Sequence, residues 1–349
     1  MPWQARVVRS LLICVLLAGV VAGEPATSRE QDSAAPAALA RWFTEGERRR
    51  LAAGHVVVAS QPRRGDEVAM AAAVAVDVDG ERFVAWMQHI DQLYRSRFVP
   101  AIARFSARPR LADLDGLTLD HDDLEDLRRC RPGDCGLKLS AAEMAAIRRA
   151  IRDAGQNWRR AAEEAFRQAV LGRVDAFLDG GHDACPPYED HLPPVHPADE
   201  LAALLAGMPS GWLPDPTVLA ALKARTVPTD APIESFLYWA KEAPSGSKPL
   251  ITVTRVMIHP GAGPAEITVT AEQVYASHYL TASLTVTALL RDAATGRAYL
   301  VYLRRARADV FRGVLGKLVH RALEGRMRSA ASAGLATLRA RLERAVPVS

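Results

Sequence analysis

The chain has 349 residues, of which 49% are hydrophobic, and a formal charge of +4. That length fills one large or two medium domains with substantial cores, and the near-balance of charge excludes the electrostatic footprint of a nucleic-acid-binding protein.

Residues 1–23 read as a secretory signal peptide. Arg6 and Arg9 precede an apolar run from Leu11 to Leu17, and small residues end it at Val21, Ala22 and Gly23, the order of basic start, short apolar core and cleavage site. Glu24 and Pro25 follow at once, so the run falls short of the about 20 apolar residues a membrane span needs. Cys14 lacks the small residue ahead of it that a lipid-attachment site wants. Cleavage near Gly23 removes two arginines and no acid, which leaves +2. Nothing later in the chain has the length and apolarity of a membrane span, so the expectation is a periplasmic or secreted protein.

Residues 24–35 are small and polar, the composition of a disordered lead-in. The stretch 36–118 then supplies a helix carrying Leu39, Trp42 and Phe43 on one face, strands at "HVVVAS" and "EVAMAAAVAVDV", and a helix whose Phe83, Trp86, Met87, Ile90 and Tyr94 fall at helical spacing.

Residues 119–230 read as a helical block that opens with a cysteine pair. Cys130 and Cys135 flank Pro132-Gly133; C-x4-C is neither the paired spacing of a zinc site nor the C-x-x-C of a thioredoxin-like site, and in an oxidising compartment it closes as a local disulfide. A ring that short is worth about 2 kcal/mol. Cys185 is left over, as a buried inert thiol or a reactive one. Ser140 and Glu143 then form a capping box, with Leu139 and Met144 as its hydrophobic staple. A long helix follows over "NWRRAAEEAFRQAVLGRVDAFLDGG", with Gly180 and Gly181 as its stop, and short helices are expected at 199–208 and 216–225. The acidic run "LADLDGLTLDHDDLEDL" lacks EF-hand spacing and reads as a turn and solvated helix face. His182, Asp183, Cys185, Glu189, Asp190, His191 and His196 gather in a Pro-rich loop that gives a metal no fixed frame, so we read it as polar surface and assign neither metal nor cofactor.

From 231 to 349 the period changes to that of strands. "ESFLYWAKE", "KPLITVTRVMIH", "AEITVTAEQVYASHYLTASLTVTALLRD" and "RAYLVYLRRA" are β-rich, and the third is long enough for two strands bent near Ser277 to Thr281. Leu280, Ala282, Leu284, Val286, Ala288 and Leu290 alternate with Thr281, Ser283, Thr285 and Thr287, which predicts an antiparallel sheet with one covered face. A long amphipathic helix with Leu335, Leu338 and Leu342 on its apolar stripe closes the chain.

The fold class is therefore α+β, an antiparallel curved sheet packed on a long C-terminal helix with a helical insertion. A strand pair, a helix, a run of antiparallel strands and a last amphipathic helix make an element order similar to the START-like, or helix-grip, superfamily, over residues 55–108 and 232–345. "CRPGDCGLKL" and "YASHY" resemble stretches of exported bacterial proteins of unknown function. The first resemblance implies a cavity between sheet and last helix that binds a hydrophobic or lipid-like small molecule. Candidate lining residues are Tyr238, Trp239, Tyr275, Tyr279 and Tyr302, with Arg255 and His278 as polar anchors. Ser277 and His278 are adjacent on a strand, so they point to opposite sides and form no catalytic pair. Ser245 and Lys248 match S-x-x-K, but Gly246, Pro244 and Pro249 oppose the helical turn that motif uses. Two other functions stay open: an envelope protein whose block 119–225 docks a protein partner, and, with less support, a hydrolase.

Overall fold

The computed structural model describes residues 37–209, 211–213, 218, 222, 234–243, 247–261, 265–311 and 316–346, with backbone alone at 37, 310 and 316–323. The signal segment, the lead-in, the helix expected at 216–225 and Ser245 lie outside these, Val218 and Leu222 of that helix excepted.

Eight strands form one antiparallel sheet. They are β1 (Val57–Ser60), β2 (Glu67–Val76), β3 (Ala101–Arg104), β4 (Glu234–Glu242), β5 (Leu250–Pro260), β6 (Ala265–Ala276), β7 (Leu280–Arg291) and β8 (Ala298–Ala308). Their order across the sheet is β1-β2-β8-β7-β6-β5-β4-β3. β4 to β8 form a plain meander, β2 returns beside β8, and β3 adds to the far edge. The long third segment divides as expected, at the turn 277–279, where Tyr279 takes a left-handed backbone with φ 62°. β3 carries no alternation strong enough to announce it; it exists because Ala101 to Arg104 pair with Lys241 to Tyr238.

Helices cover both faces, which corrects the expectation of one covered face. On the back lie a 3-10 turn (Ala37–Arg41), α1 (Glu45–Ala52) and, from the insertion, α4 (His121–Arg129), α5 (Ala141–Asp153), α6 (Trp158–Gly180) and α7 (Pro197–Ala206). On the front lie α2 (Gly80–Gln88), α3 (Ile90–Tyr94) and the C-terminal α8 (Gly316–Leu342). Two expected helices are each broken in two. Thr44 caps α1 through a capping box with Glu47, and His89, at φ −99° and ψ 46°, separates α2 from α3.

The apolar row of β7 packs on the back. Leu284, Val286 and Ala288 meet Leu39, Trp42, Phe43 and the leucines of α7. Thr281, Ser283 and Thr287 of the polar row are buried all the same. The insertion has its own core, in which Leu137, Met144, Phe166 and Val170 pack against Leu237, Trp239 and Val253 of the sheet.

The insertion begins as its local sequence dictates. Cys130 and Cys135 are bonded, and Gly133 at φ 82° gives the turn a backbone that other residues rarely adopt. Ser140 Oγ accepts from Glu143 N at 3.3 Å while Ser140 N donates to Glu143 Oε2 at 2.6 Å, closing the capping box. The same Glu143 binds buried Arg173 at 2.6 Å, so the cap is locked to α6. The Pro-rich loop after α6 is more than polar surface: Gly133 N and Cys135 N donate to the carbonyls of Glu189 and Asp190, and His182 and Asp190 are buried. Lys138, also buried, pairs with Asp309 just after β8.

Candidate functional site

Two apolar clusters hold α8 against the front of the sheet. Leu335, Leu338 and Leu342 pack with Phe83, Val256 and Leu300 at one end, and Met327 and Ala331 pack with Leu250, Leu280 and Phe311 at the other. Between them the front face turns polar. Tyr94 of α3, Tyr238 of β4 and Tyr302 of β8 converge on a hollow floored by Thr254, Gln273, Thr285 and Arg304. Its free volume is about 50 Å³.

The strand period places these groups. In β8, Leu300, Tyr302 and Arg304 face front while Val301, Leu303 and Arg305 face back. Arg304 is only 6% exposed. Gln273 is 7% exposed and its Oε1 has no hydrogen-bond partner. Thr252 Oγ1 donates to Glu242 Oε1 at 2.9 Å on the rim. Burial, reinforced by the neighbouring phenols, holds Tyr94 well above the usual tyrosine range; Arg304 offsets this only in part. Burial and the Glu242 charge do the same to Tyr238. Both phenols stay neutral at physiological pH, available as hydrogen-bond donors.

Tyr238 and Tyr302 are thus brought together, and the other candidates are not. Trp239 is buried on the back, its Nε1 donating to Asp113 O at 2.8 Å. Tyr275 continues the alternation of Val269, Ala271 and Gln273, but a bulge opposite Val253 and Thr254 sends it to the back among Phe166 and Tyr188. Arg255 also faces back, bound to Glu272 through Nε at 3.0 Å and stacked on Phe177. Tyr279 sits in the β6–β7 turn, its hydroxyl 3.1 Å from Lys248 N. His278 Nε2 lies 3.1 Å from Asp123 Oδ1, and Ser277 turns away to accept from Ile251 N. The two side chains point apart as expected, but they do so in the 277–279 turn and not on a strand, so strand alternation is not the cause.

Two buried carboxylate–imidazole pairs join the insertion to the sheet, and the sequence reading missed both carboxylates. Asp123 of α4, assigned above to a solvated face, is buried between His278 and Lys248, with Asp126 2.9 Å from the same lysine. Burial works to raise the Asp123 carboxyl, but His278 and Lys248 outweigh it and hold it below the usual range. On β6, Glu272 accepts from Arg255 and lies 2.9 Å from His182 Nε2. Burial works to raise this carboxyl as well, and the His182 bond and the Arg255 charge together hold it low. The leftover thiol, Cys185, is pushed up by burial to about 11, which makes it the inert alternative.

Chemically, the front hollow offers a buried guanidinium, an unsatisfied amide oxygen and neutral phenols, the equipment of a binding site. No hydroxyl or thiol among the described residues is bonded to either histidine, and no group of three metal-ligating side chains converges there. No helix among them is long and apolar enough to cross a membrane. No protein-family model matches the chain, and no curated protein does.

Proposed function

We propose that the chain is an exported binding protein that holds a small amphipathic molecule, hydrophobic or lipid-like in its body, between α8 and the front of the sheet. The sheet order, with two short helices between β2 and β3 and a long helix after the meander, supports the helix-grip reading. The disulfide Cys130–Cys135 is consistent with export.

The observation that carries the proposal is the polar stripe between two apolar clusters. Arg304 and the Gln273 carbonyl are taken out of water between the two apolar clusters that seat α8, and a buried acceptor without a partner is a cost that a ligand's polar head relieves. A drug-sized ligand occupies roughly 300–1,000 Å³, so a hollow of about 50 Å³ has to widen as the ligand enters. The expected ligand has an anionic or hydroxylated head for Arg304 and the tyrosines and a short apolar tail.

Titration with 8-anilinonaphthalene-1-sulfonate, an apolar anion, tests this. Saturable binding that weakens at least roughly tenfold in Arg304→Met is expected; absence of binding, or binding indifferent to Arg304→Met, refutes it. Mass spectrometry of solvent extracts of the purified protein then identifies the natural ligand.

A second reading has one observation in its favour. Leu178 and Leu192 are 54% and 74% exposed, and both belong to the helical block, which suits an envelope partner docking there. Cross-linking that captures a specific protein, lost in Leu178→Ser with Leu192→Ser, would support it; capture unaffected by the changes would not.

A further inference from the structure

On the back of the sheet, a cleft of about 240 Å³ lies along α7. Its described walls are Ala198, Leu201, Ala202, Leu205 and Ala206 of α7 with Leu222, and His182 is the polar residue that borders it. The cleft follows the seam between two cores, since Leu201 and Leu205 belong to the one built on α1 and β7, while Phe177, edge-on to His182 at 5.1 Å, belongs to that of the insertion.

The tautomer of this imidazole follows from its surroundings. Glu272 is bound by Arg255 and ionised, so toward His182 Nε2 at 2.9 Å it acts as an acceptor, and Nε2 carries the proton of the neutral ring. Nδ1 is then a bare lone pair. His182 is 6% exposed, and its Nδ1 has no hydrogen-bond partner. In the neutral ring, a carboxylate that fixes one nitrogen as donor leaves the other as an acceptor, here on a side chain that borders an alanine- and leucine-lined space.

We infer that this cleft is a second small-molecule site, distinct from the front hollow, which takes a compact apolar molecule carrying one hydroxyl, such as a phenol, with the hydroxyl donating to His182 Nδ1. The alanines of α7 leave room for a flat ring, and the described walls hold no charge that would select an ion.

Phenol is the probe, with toluene as the isostere lacking the donor. Calorimetric titration of the whole protein is expected to give saturable phenol binding, stronger than toluene binding. His182→Phe should lower phenol affinity roughly tenfold or more and leave toluene unchanged, because only the ligand's hydroxyl loses its acceptor. Ala202→Trp, on the exposed side of α7 and away from the Glu272 pair, should abolish binding of both by filling the cleft. Phenol that does not bind, or that binds undiminished to Ala202→Trp, overturns the inference. Should His182→Phe fail to fold, ring-nitrogen NMR of the unmutated protein decides: a shift of the His182 Nδ1 resonance on adding phenol supports the site, and an unmoved resonance refutes it.

Discussion

The two faces of the sheet are closed by different means. The back cover is pinned by buried charge, His182 to Glu272 and Lys248 with His278 to Asp123, over buried strand-to-strand pairs such as Arg305 to Glu67. The front cover, α8, rests on aliphatic contacts and on polar bonds at its margins, such as Arg328 to Val58 O at 3.1 Å and Arg341 to Arg95 O at 3.0 Å. Water can replace those marginal bonds almost evenly, whereas a buried ion separated from its counter-ion finds no substitute. The back is therefore built to stay shut, and the front is the side able to open at small cost.

The largest expected effect comes from breaking the buried pair between β2 and β8 beneath that cover. Arg305→Leu strands Glu67 in a site where both partners are at most 1% exposed, and should cost about 3–5 kcal/mol in urea denaturation. Pairing it with Glu67→Leu should restore much of the loss, and a double variant as weak as the single would contradict the comparison. Replacing Cys130 and Cys135 by serine loosens the insertion and should cost about 2 kcal/mol, read as a lower midpoint with the front hollow's ligand affinity retained. A smaller, graded loss is expected in acid. Glu272 and Asp123 titrate below the usual carboxylate range, so the unfolded chain takes up their protons first. Their stabilisation is complete above about pH 5 and fades as pH falls through their lower folded values. Hydrogen exchange should show back-face strands losing protection in that window, and Glu272→Gln should flatten the dependence. The smallest effect belongs to the front: Gln273→Leu removes an unsatisfied acceptor and should change stability by no more than about 1 kcal/mol, in either direction, while weakening the anilinonaphthalene probe.

Much of the framework could be read from residue order. The capping box at Ser140, the bonded cysteines, the split of the long β segment and the closing helix all follow from local chemistry, where neighbours in sequence are partners in space. β3 could not be read, because four residues at an edge owe their strand to β4. The site was legible only in part. Period two sends one of the adjacent Arg304 and Arg305 inward, and with both faces covered each is buried; the sequence alone did not disclose the second cover. Tyr275 shows the limit of counting by twos, since one extra residue in a bulge reverses every direction beyond it. The burial of Asp123 and His182, both read as surface, was hidden for a related reason: their partners, 155 and 90 positions away, come from the β6–β7 turn and from β6.

The chain leaves the sheet after Arg104 and rejoins it at Glu234, and these two residues pair with each other. The long segment between them leaves and rejoins the sheet at one place, and the entropy of closing such an appendage grows only with the logarithm of its length, so the framework tolerates it readily. The strands beneath have nonetheless come to depend on it. A chain with this block replaced by a short loop would keep the ladder between β4 and β5 yet present Leu237, Trp239, Ile251 and Val253 to water as a bare oily plate, the kind of surface on which proteins stick to one another.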